Sequence, residues 1–324
     1  MKKEVFLAIF AGVAAGLVLA FGVWRLTINF KNNQGDQTST TNSNGQAPIP
    51  TSGANFSIAV SSPDNLDVVT SSPVTISGLT ATESFVVVST DKNDYKVKSL
   101  KNGSFEVEIS LSGGYNNIVI TSFDKDGQSA KTTLELIYSS EFAKYQNQEE
   151  TDNQASGSAD TIRQKVQQKL DATLNKPVAY LGSITDINQE SIQIKSGENG
   201  IQQVSISDDT SYSKSEDLAI GDFIIAMGFV DGNKVLEAKR ILTDDPPTPN
   251  SNQAYWATIT DISGKDVSFK YPESKEEIEI TFPKTWVGPD IKDLEENKNY
   301  ILTGSIVEKS LSLRTIFEIT DENR

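Results

Sequence analysis

Neither cysteine nor histidine occurs in the 324 residues. Their joint absence removes disulfides, thiolate nucleophiles, Ser-His and Cys-His triads and the usual zinc ligands. It also leaves no cysteine for a lipoprotein-type anchor. Any chemistry would run on carboxylates, Lys, Ser or Tyr, and no cofactor is expected. A chain without thiols suits either side of a membrane, so the redox compartment stays open. Positive charge is scarce too: 29 Lys and Arg stand against 44 Asp and Glu, a formal net charge of −15. Such a surface repels a phosphate backbone and has few cations to release counterions, which argues against nucleic acid as a partner.

Long apolar runs are missing with one exception. From Val5 to Trp24 there are 20 residues without a charge, and at about 1.5 Å per helical residue they span a hydrocarbon core of roughly 30 Å. Trp24 sits where an interfacial aromatic belongs, and Lys2, Lys3 and the amino terminus outnumber Arg25 and Lys31 beyond it, which favours an N-terminus inside. The alternative is a cleaved signal peptide, for which Val18-Leu19-Ala20 offers small residues. A signal h-region of about 7–15 residues would end sooner than this run does, which favours the anchor. The expectation is a single-pass cell-membrane protein held by Val5–Trp24, with residues 1–26 as anchor, the N-terminus cytoplasmic and the later domains extracytoplasmic. Residues 27–55 then read as a disordered tether, because Asn, Gln, Ser, Thr and Gly have little to bury. The 22 residues of 32–53 would give such a tether an r.m.s. reach of about 25 Å.

At 37% hydrophobic content, the remaining length suits several small cores. Seven β-rich runs separated by turn signals lie between Phe56 and Tyr138. Phe105, Val107, Ile109 and Leu111 alternate with Glu106, Glu108 and Ser110, the period of a strand with one wet face. Asn102-Gly103 and Asp126-Gly127 are two-residue hairpin signals. Short strands at this spacing point to a two-sheet sandwich. The order Ser62-Pro63, Val74-Thr75-Ile76-Ser77-Gly78, Asn102-Gly103-Ser104-Phe105, Asn116, Ile118, Asp124 and Gly127 resembles bacterial Ig-like domains of the glucodextranase-type accessory module. The resemblance covers residues 56–138 and implies an Ig-like β-sandwich serving as a spacer or adhesion module without catalytic residues. One departure is the lack of a proline after Gly78, which touches only a loop.

Residues 139–176 read as a polar linker followed by a short helix, capped by Asp160 and ended by Pro177. Ile162, Val166, Leu170 and Leu174 make a narrow apolar stripe. It suits packing against a neighbouring module, and self-association as a stalk and a free helix are the other readings. Next the chain repeats itself: "AYLGSITDI" from Ala179 returns as "AYWATITDI" from Ala254, an offset of 75, and the Asp-Leu pair at 217 returns at 293, an offset of 76. Two small β-barrel modules are expected, 177–243 and 254–321, separated by a proline-rich linker at 244–253, because closure removes the edges of short strands. Gly182, Ile184, Leu218, Gly221, Asp222 and Ala238 resemble an uncharacterised class of extracytoplasmic bacterial modules, which implies OB-like barrels but no activity. The second copy has Asn297-Lys298 in place of Gly221-Asp222.

Ser89/Lys92, Ser122/Lys125 and Ser211/Lys214 match Ser-x-x-Lys, but no Lys-Thr-Gly or Ser-Asp-Asn partner accompanies them. Asp124 and Asp126 are metal candidates in a loop lacking the closing Glu of an EF-hand, and a hairpin turn accounts for them as well. Trp256 and Trp286 are ligand-binding candidates that could stack on a sugar or pack inside the second barrel. The expected fold class is mainly β: a transmembrane helix, an Ig-like sandwich, a short helix and two OB-like barrels. The expected function is non-catalytic display of structural or binding modules at a cell envelope, with an envelope glycan or a protein as partner. The alternative is a surface glycan-active hydrolase or carbohydrate-binding accessory protein using carboxylates between modules.

Overall fold

Alternation of apolar and polar residues, with Gly, Asn and Asp at the turns, makes this chain a succession of strands. The computed structural model describes residues 56–146, 176–197, 199–213, 218–274 and 276–319, and it is mainly β. These residues fall in one compact unit. The anchor segment Val5–Trp24, the tether and the helix expected after Asp160 lie outside the described residues. Among the described residues no helix is long and apolar enough to cross a membrane.

The first module is two sheets face to face. One sheet is β1 (Ala59–Ser62), β3 (Val74–Leu79) and β6 (Ser104–Ile109). The other runs β2 (Asp67–Val69), β8 (Ser129–Tyr138), β7 (Gly114–Phe123), β4 (Phe85–Ser89) and β5 (Asp94–Lys98). Ile76, Phe105, Val107 and Ile109 from the first meet Val86, Val88, Ile118, Ile120, Leu134 and Leu136 from the second in one core. The alternation seen at 105–109 places the apolar residues inward and Glu106 and Glu108 outward.

Two local features differ from expectation. The strands number eight, the additional one being β2, whose three residues pair with β8. Asn102-Gly103 forms a turn, with Gly103 at φ +81°, but it leads from β5 in one sheet to β6 in the other and closes no hairpin. Asp126-Gly127 does close one, between Phe123 and Ser129.

The next two modules are closed five-stranded barrels with the same strand order. In barrel 1, β9 (Val178–Ile187) pairs with β10 (Ser191–Ser196), β10 with β11 (Gly200–Ser205), β11 in parallel with β14 (Leu236–Thr243), β14 with β13 (Phe223–Val230), and β13 with β9. The short β12 (Ser211–Tyr212) lies beside β14. Barrel 2 repeats this with β15 (Gln253–Ser263), β16 (Asp266–Lys270), β17 (Ile278–Thr281), β19 (Ser310–Glu318) and β18 (Asn299–Val307).

Irregularities recur at equivalent places. One ladder slips between the pairs Ile194–Ile184 and Gln193–Asp186, the other between Ile259–Phe269 and Asp261–Ser268, so Thr185 and Thr260 are matching bulge residues. A second slip leaves Lys239 and Arg314 as the extra residues. Gly221 (φ +100°) and Asn297 (φ +63°) hold the same turn, each amide donating to the carbonyl of Ile184 or Ile259 at 2.9 and 2.8 Å. Asparagine tolerates the left-handed region better than other side chains, so the second copy keeps this turn without glycine.

Each barrel is seated on the sandwich. Barrel 1 continues its second sheet: Asp67 pairs with Val178, and the Val68 amide donates to the Pro177 carbonyl at 3.1 Å. Val68, Ile137 and Phe142 pack there on Ala179, Ile225 and Met227. The stretch after Tyr138, polar in composition, is therefore not a free hinge at its start. Phe142 is fully buried and packs at a tilt on Tyr145 and Phe229, with ring centroids at 5.1 and 5.9 Å. Barrel 2 packs Ala254, Trp256 and Ile301 on Phe85, Val87 and Phe123. The proline-rich linker docks as well, through Asn250 Nδ2, which donates to the carbonyls of Ser89 and Asn117 at 3.2 and 3.3 Å.

Candidate functional site

The seam between sandwich and barrel 2 holds a cluster of buried polar side chains. Asp94 opens β5, and its side chain is 1% exposed. Its Oδ2 accepts from Thr303 Oγ1 at 2.7 Å and Thr315 Oγ1 at 2.9 Å, with Arg314 Nε at 3.5 Å. Thr303 and Thr315 face each other across β18 and β19, beside the bulge at Arg314. Leu311, Leu313 and Ile316 point into the barrel core, so the alternation changes phase at the bulge. That re-aims a side chain, and Arg314 and Thr315 both reach the sandwich. Arg314 Nη1 donates to the Thr90 carbonyl at 2.9 Å, while Thr90 Oγ1 accepts from the amides of Lys92 and Asn93 and fixes the β4–β5 turn.

An open cleft of about 410 Å³ lies over this cluster, lined by residues of that turn, by Asp94 and Arg314, and by Thr285, Trp286 and Val287. The segment carrying Trp286 is pinned to β19: the Val287 amide donates to the Arg314 carbonyl at 3.1 Å, and the Ile316 amide to the Val287 carbonyl at 2.8 Å. Gly288 follows at φ +126°, where a Cβ would lie 2.3 Å from the Ile316 carbonyl oxygen. Only glycine fits there. The Trp286 indole donates to the Pro289 carbonyl at 3.0 Å and meets Phe282 edge-on at 5.1 Å.

Two polar atoms in this cluster, Asp94 Oδ1 and Arg314 Nη2, are buried without a hydrogen-bond partner, which is uncommon in folded proteins. Nearby, Lys96 Nζ lies 5.7 and 5.8 Å from the Phe85 and Phe317 ring centres and donates to the Glu318 carbonyl at 2.6 Å. Burial lowers its pKa below the ordinary lysine value, against the opposing pull of Glu318. A second cleft, of about 370 Å³, opens at the barrel 1 seam beside Arg240 and Glu141, which form an ion pair.

Three of the four candidates from sequence come near one another, since the turn of Asp124, Asp126 and Gly127 lies against Trp256, whereas Trp286 lines the cleft. Trp256 is 6% exposed and lies in the seam, its ring centroid 6.1 Å from Phe85 and 6.0 Å from Phe123. Trp286 is partly buried and lines the cleft. Asp124 Oδ1 accepts the Asp126 and Gln128 amides at 2.9 and 2.8 Å, the bonding of a turn. Asp126 pairs with Lys125 in the open. Among the described residues no group of three or more acids is arranged to hold a metal.

Of the Ser-x-x-Lys matches, Ser122 is buried and accepts from Thr80 Oγ1 at 3.0 Å, while Lys125 points to solvent. Ser211 donates to the Lys239 carbonyl at 3.0 Å, and Lys214 lies outside the described residues. Ser89 is buried in β4, and its hydroxyl has no partner there. Sequence reasoning missed Asp94 and Arg314. The one signal was an arginine inside the otherwise alternating run Ser310–Glu318.

The sequence matches no protein-family model and no curated protein. Solved structures with some likeness include Drosophila Unr CSD456, at 12% identity and a TM-score of 0.19 over 74% of this chain and 98% of that one. Another is the Ca2+-stabilized adhesin with which an Antarctic bacterium binds ice, at 14% identity and a TM-score of 0.19 over 82% and 74%. A third is a 1.5-MDa bacterial ice-binding adhesin, at 10% identity and a TM-score of 0.20 over 82% and 96%. At such scores none of them carries an argument about this chain.

Proposed function

We propose that this chain is a non-catalytic, membrane-anchored protein of a bacterial cell envelope that displays three β modules as a joined scaffold or binding unit. Val5–Trp24 anchors it with the N-terminus cytoplasmic, residues 27–55 tether it, and the modules stand outside. The sandwich is read as an Ig-like accessory module of the glucodextranase type, and the barrels as OB-like. The supporting observation is the pair of seams, in which Phe142 on one side and Trp256 on the other lock a barrel to the sandwich. Aromatic residues that could have served a ligand are committed there to holding modules together. Protease treatment of intact cells tests the reading. Digestion of the modules without lysis is expected, and digestion only after lysis overturns the orientation.

A second reading, a carbohydrate-binding accessory protein or glycan-active hydrolase, is favoured by the cleft between sandwich and barrel 2 with Asp94 in it. A glycan-hydrolysis assay whose turnover disappears on a single Asp or Glu substitution would establish the hydrolase.

A further inference from the structure

Both barrels turn the same face to the sandwich. β9, β13 and β14 pair with one another as β15, β18 and β19 do, so Ala179 corresponds to Ala254, Leu181 to Trp256, Ile225 to Ile301 and Leu242 to Phe317. In barrel 2 this face packs on Phe85, Val87 and Phe123. In barrel 1 Ala179 and Ile225 are buried against Val68, Ile137 and Phe142, whereas Leu181, Phe223 and Leu242 are only partly covered. Leu181 and Leu242 flank Ile225 on neighbouring strands. The partly covered residues therefore form one apolar strip, the kind of surface that marks a contact, and not scattered single side chains.

The duplicate shows that the barrel itself does not require this strip. Phe223 pairs with Ser183 as Asn299 pairs with Thr258, and Asn299 is exposed. Barrel 1 carries a phenylalanine where barrel 2 leaves an asparagine to water. The rim beside Phe223 is acidic: Asp222, Asp244 and Asp245 line an open cleft of about 340 Å³ with it. A partner that fits this surface is apolar along its middle and basic at its margin.

The chain supplies such a segment, and both of its ends are fixed at barrel 1. On one side the Tyr145 hydroxyl donates to the carbonyl of Lys239 in β14 at 3.3 Å, shortly before Leu242. On the other, Lys176 leads into β9 at Val178, shortly before Leu181. Residues 147–175 connect the two and lie outside the described residues. Their one series of large apolar side chains is Ile162, Val166, Leu170 and Leu174. Residues 160–176 set Arg163, Lys165, Lys169 and Lys176 against Asp160 and Asp171 alone, a net positive stretch in a chain of −15. On a helix, Lys165 and Lys169 adjoin Ile162 and Val166. At about 1.5 Å per residue, the helix from Ile162 to Leu174 reaches roughly 18 Å, enough to cross three strands spaced about 4.8 Å apart.

We infer that residues 160–175 form a helix seated on the Leu181–Phe223–Leu242 strip, with Ile162, Val166, Leu170 and Leu174 against it and Lys165 and Lys169 toward Asp244 and Asp245. The occupant is the chain's own segment and not that of a second copy, because both ends are held beside the strip and the contact is intramolecular, at high effective concentration. The helix thus covers for barrel 1 what Phe85 and Phe123 cover for barrel 2. This holds wherever the chain resides, so it fails separately from display at the cell surface, which the protease experiment decides.

The test is thiol labelling of the full chain in mild detergent. The chain has no cysteine of its own, so Leu242→Cys places a single thiol on the strip. It should react slowly with a maleimide. Adding Val166→Asp and Leu170→Asp, neither of which lies in a barrel strand, should speed the reaction about tenfold or more by freeing the cover. Hydrogen exchange gives the second measurement: the amides of 162–174 should be protected without the two aspartates and exposed with them, while β9 and β13 stay protected in both. An unchanged labelling rate, or amides of 162–174 that exchange freely in the parent chain, overturns the inference. A labelling rate that falls as protein concentration rises overturns it too, in favour of a second copy as the cover.

Discussion

Gly127, in the β7–β8 turn of the sandwich, lies against Trp256 of barrel 2 so closely that a Cβ there would come within 2.7 Å of the indole Cδ1. The same glycine has φ +81°, so an alanine would meet both backbone strain and the partner module. Gly127→Ala is expected to cost about 1–2 kcal/mol, measured by chemical denaturation.

Trp256→Ala should act more strongly, because it removes the ring that contacts Phe85 and Phe123. A loss of about 3–4 kcal/mol is expected. Limited proteolysis checks where it acts: cleavage near residues 244–253 should rise, while the barrel 1 seam stays protected.

Asp94→Ala removes the acceptor of two threonine hydroxyls and leaves Arg314 half-paired in the seam. A destabilisation of about 2–4 kcal/mol is expected. In a double-mutant cycle, Asp94→Ala with Arg314→Ala should cost less than the sum of the two single changes.

Gly288→Ala places a Cβ 2.3 Å from the Ile316 carbonyl and should free the Trp286 segment from β19. Intrinsic fluorescence should shift to longer wavelength even where the melting temperature falls only modestly. An unshifted spectrum would argue that the segment holds without its glycine.

At the barrel 1 seam the pH dependence has an unusual sign. Burial raises the Asp67 pKa above its ordinary 3.8, despite the pull of Lys176 and of the Asp64 amide. A raised carboxyl contributes stability that is full below 3.8 and is lost as pH rises through the folded value. Lys176 is raised above 10.5, since Asp64 and Asp67 outweigh its own burial. Its contribution persists to 10.5 and is lost above that, as pH rises through the folded value. Relative to wild type, Asp67→Asn should gain stability as pH climbs from 4 to 7, and Lys176→Met should gain only in the alkaline range. Denaturation midpoints across pH measure both.

The mainly β character was legible because alternation and turn residues are local signals. The spacing of 75 residues between the two Ile-Thr-Asp-Ile phrases likewise corresponds to matching bulges at Thr185 and Thr260. β2 was not legible, since three residues carry no period and form a strand only because β8 and β9 flank them. The cleft was harder still. Asp94 and Arg314 are 220 positions apart, and only packing of one module on another brings them within 3.5 Å. Phe142 shows the same limit from the other side: an aromatic in a polar stretch gave no sign that it closes a core.

The two barrels hold on by different means. β2 stitches barrel 1 to the sandwich through main-chain pairing, whereas among the described residues each contact of barrel 2 with the sandwich uses at least one side chain. Pulled from the C-terminus, barrel 2 is therefore the breakaway part. A tug would open its cleft and detach it whole, while the sandwich and barrel 1 stay together until a strand is torn from a shared sheet.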